Sequence, residues 1–166
     1  MTKPIIKVQI CREDFNIENE IKALTKGRYD LGAVVSFVGL CRDEGNTLNA
    51  LEIEHYPVMA QNEIQRIAES ACNRWPLGGI IAIHRYGKIV AGENIVLVIA
   101  ASKHRQAAFN GANFLMDFLK TRAPFWKKED FKSGEKSEWV SAKDEDDDAL
   151  AKWGDDPGMP GKGNFS

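Results

Sequence analysis

Hydrophobic and polar positions switch between two periods along this chain, and the switches mark its elements. Ile6, Val8 and Ile10 alternate with polar neighbours and predict a strand over residues 5–10. Ile17, Ile21 and Leu24 recur at helical spacing and predict a short helix closed by Gly27. Residues 32–39 are almost unbroken apolar, the pattern of a central strand covered on both faces. A turn-rich loop over 40–46 follows. Alternation returns at Leu51, Ile53 and His55, a strand with one wet face. Pro57 then opens a helix whose stripe is Ala60, Ile64, Ile67, Ala68, Ala71 and Cys72, with Glu63, Arg66 and Glu69 opposite. The chain turns at 75–79 into a strand over 80–85, with His84 a strand histidine at the sheet surface. Residues 86–94 read as a connection with two glycine turns, and 95–101 as a second apolar strand.

A helix over 102–122 comes next, with Ser102 as its N-cap and Ala107, Ala108, Ala112, Leu115 and Leu119 as its stripe. Pro124 stops it, because proline lacks the amide hydrogen and pushes Ala123 out of helical geometry. Both ends of this helix are basic. Lys103, His104 and Arg105 crowd its first turn, where the dipole favours acidic side chains. An anionic ligand on the free amides would resolve that conflict. Beyond the other end, Phe125 and Trp126 adjoin Lys127 and Lys128, so the exit is stiff and cationic. Arg42 lies just past a strand end, where open α/β sheets tend to hold ligands.

At 166 residues the chain suits one domain with a real core, expected over 1–153, with a glycine- and proline-rich disordered tail over 154–166. A short helix ending near Trp153 is expected behind the acidic run 144–148. The formal charge of -2, from 22 basic and 24 acidic residues, speaks against a nucleic-acid binder, so any cationic site is local. The chain lacks an apolar run long enough to span a bilayer and a signal-peptide core, which makes a cytoplasmic protein the expectation. Cys11, Cys41 and Cys72 are widely spaced and suggest neither disulfides nor a metal site. Cys41 adjoins Arg42, whose charge could lower its thiol pKa, so it is a minor candidate for chemistry. The order strand, helix, strand, strand, helix over 48–121 is the split βαβ arrangement. It predicts an α/β or α+β sandwich with the helices of 58–74 and 102–122 on one face of a mixed sheet.

Several stretches taken together resemble one family. They are Glu54-His55-Tyr56-Pro57 with Met59, Asn73-Arg74-Trp75-Pro76-Leu77-Gly78, Ile83-His84-Arg85 with Gly87, Ser102-Lys103-His104-Arg105, and Met116 through Glu129 with its core Lys120-Thr121-Arg122-Ala123-Pro124-Phe125-Trp126-Lys127. In consistent order over roughly 5–153, they resemble the large, catalytic subunits of molybdopterin synthase, the MoaE family. The resemblance implies an α/β hammerhead fold with an added β subdomain. It implies sulfur transfer from the C-terminal Gly-Gly thiocarboxylate of a small ubiquitin-like subunit to a cyclic pyranopterin monophosphate, precursor Z. The product is the dithiolene of molybdopterin, made without a bound cofactor by a heterotetramer built on a large-subunit dimer. By the same resemblance Arg42, His104 and Arg105 bind substrate, and Lys120 sits at the reacting centre. Lys127 and Lys128 complete the anion pocket, Lys127 counting with Lys120 as catalytic, and Cys41, Asp43 and Glu129 line it. Two departures stand out: Leu40-Cys41 precedes Arg42 where some relatives carry lysine, and Lys143 stands where arginine is frequent and would reach a neighbouring subunit's pocket.

The residues themselves also admit a phosphate-ester or acyl-phosphate hydrolase acting alone, or a non-catalytic docking module for a ubiquitin-like protein. Phosphatase activity in the isolated chain would mark the first, and tail binding without pterin affinity the second.

Overall fold

Ten elements form where the hydrophobic period changes, in a computed structural model that describes residues 3–139 and Trp153. They are β1 (Ile5–Cys11), α1 (Ile17–Thr25), β2 (Ala33–Leu40), β3 (Leu48–His55), α2 (Pro57–Arg74), β4 (Leu77–Arg85), β5 (Gly87–Val90), β6 (Asn94–Ser102), α3 (Arg105–Thr121) and β7 (Phe125–Phe131). The expected final helix, the tail over 154–166 and Lys143 lie outside the described residues.

Four strands make the main sheet in the order β1-β4-β6-β2, with β1 parallel to β4 and the other pairs antiparallel. Because β4 and β6 are central, both their faces are covered, which is why they read as continuous apolar runs. Ile80, Ala82, Val96, Val98 and Ala100 pack under α2 and α3. Ile81, Ile83, Leu97 and Ile99 pack with Leu24 of α1 on the other face. The two long helices therefore share one face, as their stripes predict.

Three expectations change. The apolar run 32–39 is not central: β2 is an edge strand that leaves Val34, Phe37 and Leu40 exposed. Residues 86–94 are more than a connection, since β5 lies within them. The split βαβ order over 48–121 is broken because β3 leaves the main sheet and joins a second, antiparallel one of order β5-β3-β7. That small sheet encloses its own core of Cys41, Leu48, Leu51, Ile53 and Ile89.

Trp153 closes one side of the helical layer. Its ring meets Trp75 and Phe114 edge-on, with centroids 5.4 and 5.6 Å away. Its Nε1 donates to Asp117 Oδ2 at 2.6 Å, and Arg74 donates to its carbonyl at 2.8 Å.

Candidate functional site

The stretch after Pro124, expected to be a stiff connector, is strand β7. Antiparallel pairing sets Lys127 opposite Ile53, Lys128 opposite Glu52 and Glu129 opposite Leu51. Directly opposed side chains share a face, so Lys127 and Glu129 emerge on the side of the small core and Lys128 on the other. Lys128 Nζ lies 5.4 Å from the Trp139 ring centroid, and Trp126 packs edge-on against Tyr56 at 4.8 Å. Phe125 stacks on His84 at 4.0 Å, which covers the histidine expected at the sheet surface.

The loop after β2 starts at a buried residue. Cys41 donates its N–H to the Glu93 carbonyl at 2.8 Å and accepts from Gly92 N–H at 2.7 Å, which fixes the strand end from which Arg42 departs. Burial pushes the Cys41 thiol up, so the expected lowering by Arg42 does not occur. Arg42 instead points outward and pairs with Glu44 at 2.8 Å, both side chains largely exposed. Such a pair is weak and leaves the guanidinium available to an anion. Asp43 Oδ1 accepts from the backbone N–H of Thr47 and Leu48, at 3.1 and 3.0 Å, and so holds the turn into β3.

At the start of α3 the cap differs from expectation. Ser102 is the last residue of β6, is buried and donates to the Pro76 carbonyl at 2.8 Å. His104 is the N-cap, and its side chain makes no capping bond. Lys103 and His104 thus precede the helix and Arg105 opens it. All three are exposed, beside first-turn amides that no acidic side chain of the turn offsets.

Lys120 sits in the last turn of α3, exposed, one turn before the chain enters β7. Helix α3 returns along β6, so Lys120 and Lys127 lie at the molecular end where β6 begins. Arg42 lies there too, because Leu40 pairs with Asn94. Arg105 and Lys120 are fifteen positions apart on one helix, a rise of about 22 Å. One chain therefore gathers Arg42, Lys120 and Lys127 at one end and holds His104 and Arg105 at the other.

The pairing of His84 and His55 around Phe125 was not legible from the sequence. Each histidine reads as an ordinary strand residue, and the ring that joins them arrives from a strand more than forty positions later. Among the described residues no cluster of His, Cys, Asp or Glu could hold a metal ion, and no helix is long and apolar enough to cross a membrane.

Comparison with known proteins adds four findings. The model of the MoaE protein family matches residues 10–122. The molybdopterin synthase catalytic subunit of Mesorhizobium japonicum is 63% identical over 146 residues, which is 88% of this chain and 92% of that protein. Among solved structures, the molybdopterin biosynthesis MoaE protein from Burkholderia ambifaria superimposes with a TM-score of 0.78 at 39% identity, covering 92% of this chain and 100% of that one. A complex of subunits 1 and 2 of molybdopterin-converting factor from Helicobacter pylori shares the fold, at a TM-score of 0.64 and 20% identity over 84% of this chain and 90% of that one.

Proposed function

The chain belongs to the MoaE family, and from that premise we propose how its basic residues carry out the work of a molybdopterin synthase catalytic subunit. It is an enzyme of molybdenum cofactor biosynthesis. Its substrate is the cyclic pyranopterin monophosphate, and its sulfur donor is the C-terminal thiocarboxylate of a small ubiquitin-like subunit. Two anions must then meet in one place, and negative charge develops as sulfur attacks the pterin side-chain carbon. Fixed cations lower that barrier most where water is excluded.

The observation that carries this reading is the junction of α3 and β7. A helix end, a proline stop and a strand start bring Lys120 and Lys127 to one end of the molecule, with Arg42 at the same end. Lys120 stands at the reacting centre beside the donor tail. Lys127 and Arg42 hold the substrate's anionic groups, with Lys128, Asp43 and Glu129 around them. Cys41 supports the wall through its backbone, not through its thiol. His104 and Arg105, about 22 Å along α3, are too far away to reach the same pterin in one chain. They serve instead the pocket of a second copy, so the working unit is a dimer of this chain with one sulfur carrier on each. The three cysteines are free, which suits the reducing cytoplasm where we place the reaction.

The deciding experiment incubates the protein with thiocarboxylated carrier and precursor Z and follows dithiolene formation. Lys120→Ala is expected to abolish product while carrier and catalytic subunit still co-elute. Undiminished product from that variant would refute the assignment.

A further inference from the structure

Phe125, the first residue of β7, packs against two histidines from different sheets. Its ring lies 4.0 Å from His84 of β4 at an interplanar angle of 14°, and 5.8 Å from His55 of β3 at 28°. His84 is anchored, with Nδ1 2.8 Å from the Arg85 carbonyl. His55 packs on Tyr86 at 4.5 Å, and the Arg12 guanidinium lies 4.7 Å from the Tyr86 ring. The contact is therefore a joint. Through it, and through Ile95 of β6 on the small core, the small sheet is keyed to the main one.

The choice of residue is informative. Among the described residues, His55 Nδ1 is buried with no hydrogen-bond partner, an arrangement that disfavours stability relative to an apolar side chain. Burial also pushes the His84 pKa down to about 4, so its ring is neutral at pH 7 and stacks as a flat, uncharged plate. Lys127 lies two positions beyond Phe125 on the same face of β7, close enough for its charge to act on His84. Loss of the stack would loosen the start of β7, from which the Lys127 side chain departs.

We infer that His84, through its stack on Phe125, is a positioning residue that sets where the Lys127 ammonium stands, with His55 supporting the same ring. This rests on the role proposed for Lys127, and His84 itself touches no substrate. A displacement of the order of 1 Å in a reacting group lowers turnover by up to about 10²-fold.

The test uses the complete enzyme with its carrier. His84→Leu, which removes the flat face, is expected to lower kcat/KM for the pterin by about 10- to 100-fold, since Lys127 both holds the substrate's anionic group and acts at the reacting centre. His84→Phe, which keeps a ring on Phe125, is expected to retain most of the turnover. In a Lys127→Ala background His84→Leu should have no further effect, since the two act as one unit. Should His84→Leu not fold, Phe125→Leu removes the same stack and carries the same expectations. Wild-type turnover in the leucine variant overturns the inference, as does a phenylalanine variant as impaired as the leucine one. Losses that multiply with Lys127→Ala also overturn it. A second readout needs no turnover: the rate of reductive methylation at Lys127, followed by peptide mass spectrometry, should change several-fold in His84→Leu while that at Lys120 stays constant. An unchanged Lys127 rate overturns the positioning role. A wild-type protein that makes no dithiolene faults the assigned reaction, and the methylation rates still decide this one.

Discussion

At the Cys41 thiol, sequence context and burial act in opposite directions, and burial prevails. An adjacent arginine suggests a reactive thiolate, yet the side chain is 2% exposed in the small core and its pKa is raised. A thiol held protonated and out of reach is a poor sulfur carrier. Cys41→Ser is therefore expected to keep its turnover and to lose about 1–3 kcal/mol of stability for the buried hydroxyl; a dithiolene assay and a denaturant titration check both. His84 gives the converse, a residue whose bland sequence context hides a strong environment. Its pKa is ordinarily 6.5 and about 4 in the fold, lowered by burial and further by the nearby Lys127 and His55. Between those values the unfolded chain binds a proton that the folded chain refuses, so this group's effect on stability is absent above about pH 6.5. It then destabilises progressively as pH falls to about 4, by at most about 3 kcal/mol. Thermal melts from pH 7 to pH 4 should show a steeper fall for the wild type than for His84→Phe.

At the scale of elements, most of the fold was legible because its signals are local. The three helices and strands β1, β3, β4 and β6 each announce themselves by period and by a stop residue. The failures share a cause, since they depend on pairing that local sequence does not encode. The run 32–39 looks like a central strand, but nothing in it says that, among the described residues, only one side of β2 finds a partner, β6. In β7 a run of charges masks the alternation, and its partner β3 lies some seventy positions earlier. The start of α3 was misplaced for the same reason. Ser102 looks like a cap, but its hydroxyl is already engaged with Pro76, 26 positions away in sequence. That corner is tightly built: a Cβ on Gly32 would collide with the Lys103 carbonyl oxygen, a backbone atom that has nowhere to turn. Gly32→Ala is expected to lower stability by about 1–3 kcal/mol. It should also disturb the approach to His104 and Arg105, so a melt and a pterin-binding titration should both shift.

For the whole molecule, the candidate cations were readable as residue types, but their grouping was not. Sequence places two basic clusters at the ends of one helix, and the length of α3, about 22 Å between Arg105 and Lys120, argues against a shared pocket within one chain. If each pocket takes Lys120 from one copy and Arg105 from the other, Lys120→Ala and Arg105→Ala are each inactive alone. After subunit exchange half of the dimers are mixed, and each mixed dimer carries one intact pocket, so activity should recover to about a quarter of wild type. No recovery would place both residues in a pocket made by a single copy.

Trp153 bears on where the folding unit ends. The stretch that matches the family model stops at residue 122, yet the third strand of the small sheet begins at Phe125 and the indole over Trp75 and Phe114 comes later still. A fragment cut to the matched span would leave β3 with one bare edge and two aromatic rings wet. A fragment of residues 10–122 is thus expected to melt well below the full chain.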